Sequence, residues 1–177
     1  MDKEIKTHWK QHDHRIQSLG HIIDGLWSAI DLLRQRMELG EWYDAIWFRE
    51  DSEPIFGLAF IAFQNYINAS IIDIYDTIDG KDQIYRLSQK LKNSSRTDIE
   101  LIISLANYTK HKDWGEPHKG TKNTLSDLGL KSDLEVDIVE SPIFEGIELL
   151  SPSWDLKEVL DRVSVWRESL WQSSAFK

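Results

Sequence analysis

Four polar residues, Glu100, Ser104, Asn107 and His111, follow one another at intervals of four, three and four. On a helix that spacing sets them in one stripe along a single face. Asparagine offers two donors and an acceptor, and histidine exchanges a proton near neutral pH, so the pair can orient and protonate a substrate. Around them the stretch SLANYTKHKDW adds Tyr108 and Trp114 as aromatic surface and Lys110 and Lys112 as positive charge. It is the one place in the chain where basic and aromatic residues interleave as they do on nucleic-acid surfaces. His111, Asn107 and Lys110 are the candidate catalytic groups, and Ser104, Tyr108, Lys112 and Trp114 the candidate ligand contacts. The same residues also read as an ordinary helix end. Basic side chains there stabilise the macrodipole by roughly 0.3–1 kcal/mol each, and Gly115 and Pro117 form a stop signal.

Two further clusters carry polar chemistry. The second helical stretch holds Gln64, Asn65, Asn68, Asp73 and Asp76. If buried they must be hydrogen-bonded, and Asn68 facing Asn107 or His111 is the pairing that would make it a ligand contact. The alternative is an exposed strip, or polar groups that fix helix register. Near the start, His8 and His12 stand four apart with His14 and Glu4 close by, a spacing that puts two imidazoles on one helix face. No third and fourth ligand appears at a diagnostic spacing, so the site assignment carries no metal and no cofactor, and a metal-binding bundle is the weakest of the readings.

The elements that must position these groups are helices. Apolar residues recur at three and four spacings in Leu19, Ile23, Leu26, Ile30, Leu33 and Met37, ending near Gly40. Residues 1–17 read as a solvated helical extension or a loose arm, since His8 to Gln17 is too polar for a core face. Trp42, Tyr43, Trp47 and Phe48 read as an aromatic connection over the bundle's end. The second stripe is Phe60, Phe63, Ile67, Ile71, Ile74 and Ile78, with Ser52 as its cap, Pro54 in its first turn and Gly80 as its stop. It is apolar nearly all round, which places it centrally. A short polar segment with a turn or two of helix follows. SSRTDIE then offers capping boxes in Ser95 with Asp98 and Thr97 with Glu100. The third helix turns Ile99, Ile102, Ile103 and Ala106 inward. Residues 115–152 read as an irregular covering segment, with NTLSDLGL as one turn and PIFEGIELL as an extended or two-strand piece. The last helix opens on Asp155 and Glu158 and carries Leu156, Val159, Val163, Trp166 and Leu170. The predicted fold is all-α: one helical-bundle domain over 1–177, with four main helices and an irregular segment before the last.

Composition narrows the functions. A chain of 177 residues with 41% hydrophobic residues can bury a single sizeable core. Lys and Arg number 21 against 30 Asp and Glu, a formal charge of −9 that repels nucleic acid as a whole, so any RNA contact needs a local basic patch. With no cysteine, disulfides, thiolate metal sites and cysteine nucleophiles are excluded. The charged N-terminus lacks a signal-peptide core. The longest apolar run, Ile55 to Phe63, is about half of the roughly 20 residues a membrane helix needs. A cytoplasmic protein with no membrane partner is expected. Its central helix, apolar on most sides, makes a homodimer the expected assembly. No phosphate-binding glycine loop or serine-nucleophile motif is present.

ANYTKH, Ala106 to His111, resembles the Arg-Asn-x-x-x-His motif of HEPN-domain proteins. The resemblance covers six residues in a helical context. It implies a helical bundle from a toxin-antitoxin or antiphage setting that works through a protein partner or RNA contact. Many members of that family are metal-independent ribonucleases that dimerise to bring two motifs together. Asn107 and His111 correspond to the motif's Asn and His, while Ala106 stands where the family has Arg. A guanidinium there would hold phosphate oxygens and stabilise developing charge, which alanine does not do. Arg96 lies about 22 Å from His111 along the same axis at 1.5 Å per residue, and Lys110 or Lys112 could supply only a point charge. The enzyme reading therefore makes His111 the general acid or base, Asn107 the phosphate-orienting group and a lysine the charge.

Overall fold

The computed structural model describes residues 12–40, 42–113, 115, 117–133 and 136–174. Among them every regular element is helical: α1 (Ile16–Glu38), α2 (Ala45–Tyr75), α3 (Lys81–Tyr85), α4 (Asp98–His111), α5 (Lys119–Asp127), a 3₁₀ turn (Ile138–Glu140), α6 (Pro142–Leu150) and α7 (Leu156–Ser174). The all-α expectation holds. The irregular covering segment does not, because 115–152 contains two further α-helices and the 3₁₀ turn.

α6 is the clearer correction. Ser141 accepts a hydrogen bond from Ile143 N–H and Pro142 fills the first turn, where its missing N–H costs nothing. A continuous apolar run is compatible with either a buried strand or a buried helix, and the serine-proline start decides for helix. α5 buries Thr121, Thr124 and Leu125, a face too polar to show as a stripe.

α2 lies at the centre, packing on α1, α4, α6 and α7. It begins a full two turns earlier than the Ser52 cap would place it. Asp44 accepts from the backbone N–H groups of Ile46 and Trp47, and Pro54 lies inside the helix on its exposed face, where the carbonyl freed four residues upstream can reach water. Trp47 and Phe48 thus belong to α2. Tyr43 and Phe48 turn into the core, whereas Trp42 and Trp47 remain exposed. The far end comes before Gly80, at Asp76, which takes a left-handed φ of 60° that aspartate tolerates. Phe56, Phe60 and Phe63 are fully buried, each worth roughly 1.5–3 kcal/mol of burial. One continuous apolar core draws side chains from all seven α-helices. α2 is also long and apolar enough to cross a membrane by length and composition, and over half of its most apolar stretch is buried in the bundle.

Two glycines set how closely α4 is held. A Cβ on Gly57 would stand 2.6 Å from Thr109 Cγ2, and one on Gly146 2.6 Å from Leu105 Cδ1. α2 and α6 therefore grip α4 on two sides. Gly57→Ala is expected to force α2 and α4 apart and to cost about 1–3 kcal/mol, read as a lower denaturant midpoint at unchanged m-value. A stability equal to wild type would mean that Thr109 simply turns aside.

Candidate functional site

α4 starts with the predicted box: Thr97 accepts from Glu100 N–H while the Glu100 carboxylate accepts from Thr97 N–H. The Ser95 and Asp98 pairing does not form, since Asp98 instead accepts from Ser88 and from its neighbour Ile99 N–H. With the start fixed and Ile99, Ile102 and Ala106 fully buried, the polar stripe is turned to the other side.

There it lines one wall of a cleft of about 650 Å³. Glu100, Ser104, Asn107, Lys110 and His111 come from α4, Gln64 and Asn68 from α2, and Lys81, Tyr85 and Arg86 from α3 and its end. His118, which caps α5, and Thr121 and Thr124 within it complete the rim, and Arg96 closes the end nearest the start of α4. Four lysines and arginines face two carboxylates here, in a chain whose formal charge is −9. The cleft is thus a local exception to the molecule's acidity.

Hydrogen bonds order its floor. Lys110 Nζ donates to Gln64 Oε1 at 2.5 Å, and Gln64 Nε2 donates to Asn107 Oδ1 at 2.9 Å. Tyr85 OH donates to Asn68 Oδ1 at 2.6 Å. Asn68 therefore shares the cleft with Asn107, but Gln64 is the residue that meets it. Burial, and then the nearby Lys81 charge, push the Lys110 pKa down. At the other end the Glu100 carboxylate lies 2.8 Å from Arg96 and 3.4 Å from Arg86, while Arg96 also pairs with Asp127 at 2.7 Å.

The remaining sequence candidates lie elsewhere. Lys112 points to the opposite side of α4, where its ammonium meets Glu53 at 2.5 Å beside the Ser141 hydroxyl. It is a tie between α2, α4 and the start of α6. Tyr108 is buried, and burial with the charges of Glu53 and Asp113 pushes its hydroxyl up to about 12. Trp114 lies outside the described residues, as do His8 and Glu4. Among the described residues no three His, Asp or Glu side chains gather to hold a metal ion. Asn65 is exposed, and Asp73 pairs with Arg15 at 2.9 Å. Ala106, at the motif's arginine position, is fully buried in the core.

Sequence reasoning missed Lys81, Tyr85, Arg86, His118, Thr121 and Thr124. None belongs to a spaced pattern, and they reach the cleft only through the packing of α3 and α5 on α4. A second, shallower groove between residues 87–98 and α7 has the opposite character. Asp98, Glu158 and Asp161 outnumber its one cation, Arg162. Comparison with known proteins gives no match to a family model, to a curated protein or to a solved structure.

Proposed function

We propose that this chain is a HEPN-like helical-bundle protein that binds RNA through the α4 cleft. The observation that carries the reading is the excess of cations along the Asn107 and His111 face of an otherwise acidic protein. Counterion release from phosphates is the main source of nucleic-acid affinity, and a local basic cleft is where it is obtained. The toxin-antitoxin or antiphage setting comes from the resemblance alone. The homodimer rests on the apolar central helix as well as on the resemblance, and the exposed Leu39, Trp42, Ile46 and Trp47 at the α1–α2 end agree with it, since apolar surface marks contact sites.

Binding is favoured over cleavage because, among the described residues, no guanidinium is free beside His111. The motif position is a core alanine, and Arg96 is engaged by Glu100 and Asp127. A metal-independent endoribonuclease is the second reading, supported by His111, Asn107 and Lys110 sharing one cleft. Titration with labelled single-stranded RNA tests the first. Wild type should bind, and the Lys81→Ala, Lys110→Ala double variant should bind more weakly, with its salt slope reduced by about 0.7 per lysine removed. An unchanged slope sinks the reading. Incubation with total RNA beside His111→Ala tests the second, which requires cleavage that the variant loses.

A further inference from the structure

The polarity of the cleft narrows what lies in it. Gln64 takes the Asn107 carbonyl and Tyr85 takes the Asn68 carbonyl, so both carboxamides are left with N–H donors to offer. Lys81, Lys110 and His111 line the same cleft as Asn107, Lys110 and Asn107 meet on Gln64, and the Lys81 charge is close enough to act on Lys110. Neither lysine forms an ion pair with a carboxylate among the described residues. Donors predominate at this end, where Asp82 is the one carboxylate of the lining, and the two ammonium groups raise each other's cost unless an anion lies between them. The far end differs, because Arg86 and Arg96 already share Glu100.

An internal phosphodiester brings one negative charge and two free oxygens. A phosphate monoester brings nearly two charges and three strong acceptor oxygens. Two unpaired ammonium groups, an amide and an imidazole match the second. Resting on the RNA reading above, we propose that the Lys110 end of the cleft is a subsite for the terminal phosphate of an RNA strand. Lys81, Lys110, Asn107 and His111 hold its oxygens. Gln64 acts as a positioning residue, since its carboxamide accepts from Lys110 and donates to Asn107 and so fixes both as donors toward the ligand. The lowered pKa of Lys110 agrees with a group waiting for a counter-charge.

The test uses the full chain and labelled single-stranded RNA of about ten nucleotides, bearing a 5′-phosphate, a 3′-phosphate or hydroxyls at both ends, with inorganic phosphate as a separate arm. One phosphorylated end should bind at least tenfold more tightly than the hydroxyl-ended strand. That ratio should fall toward one in Lys110→Ala and Lys81→Ala and shrink in Gln64→Met, with thermal melts showing that the variants fold. Equal affinity for all three RNAs overturns the subsite and leaves the RNA reading standing. If no RNA binds but inorganic phosphate raises the melting temperature of wild type and not of Lys110→Ala, the RNA reading falls and a phosphate site remains. If nothing binds, both fall.

Discussion

Ala106→Arg should destabilise the protein instead of completing its motif. The residue has no exposed surface, and it belongs to the stripe of α4 that packs into the core beside Ile102 and Ile103. An arginine there overpacks the interior and buries a guanidinium with no carboxylate, a combination that costs about 4 kcal/mol or more. In a domain of this size that lowers the melting temperature by roughly 8–16 °C. A folded Ala106→Arg protein with wild-type stability and new ribonuclease activity would show that the side chain reaches the cleft, and the argument from burial would be wrong. The contrast with Asn107 is one step of 100° along the helix: its neighbour faces the core, while the amide faces the cleft.

Glu100 should show stability and binding moving in opposite directions. Its carboxylate, 8% exposed, closes the Thr97 capping box and pairs with Arg96 and Arg86. Glu100→Ala leaves Thr97 N–H buried without its acceptor and breaks two charge-assisted bonds, for a loss of about 3 kcal/mol. Glu100→Gln keeps an acceptor oxygen and should lose about half as much. Both variants remove a negative charge from the cleft, freeing Arg86 and leaving Arg96 with Asp127 alone, so RNA affinity should rise as stability falls. Thermal melts paired with RNA titrations check this. Weaker RNA binding by a folded Glu100→Gln protein would mean that Arg96 and Arg86 need the carboxylate to hold them in place for the ligand.

Most of the helical frame was legible because its signals are local. The stripe from Leu19 to Met37 and the run from Leu156 to Leu170 each state their period within one segment, and the Thr97 and Glu100 box states a start. α2 was misplaced at its start because Ser52 and Pro54 imitate a helix beginning, whereas the true cap is Asp44, hidden among aromatic residues. α5 shows in the sequence only as the single turn NTLSDLGL because threonines make most of its buried face. α6 was missed because an unbroken apolar run has no period to read.

The cleft divides in the same way. The spacing of Glu100, Ser104, Asn107 and His111 predicts one face, and those four side chains line one cleft. Lys112 was misjudged because lysines two residues apart point about 200° away from each other around a helix. Lys110 therefore meets Gln64 on one side, while Lys112 meets Glu53 on the other. Lys81 and Arg86 were invisible because a five-residue helix carries them to α4, and only tertiary packing says so.

The central claim is that RNA lies along α4. Photocrosslinking of a 4-thiouridine RNA to the intact protein, with the attached peptides located by mass spectrometry, tests it most directly. Crosslinks within residues 81–86, 96–111 and 118–124 are the predicted result. Crosslinks gathered instead at the exposed Trp42 and Trp47, with the cleft peptides unmodified, would contradict it.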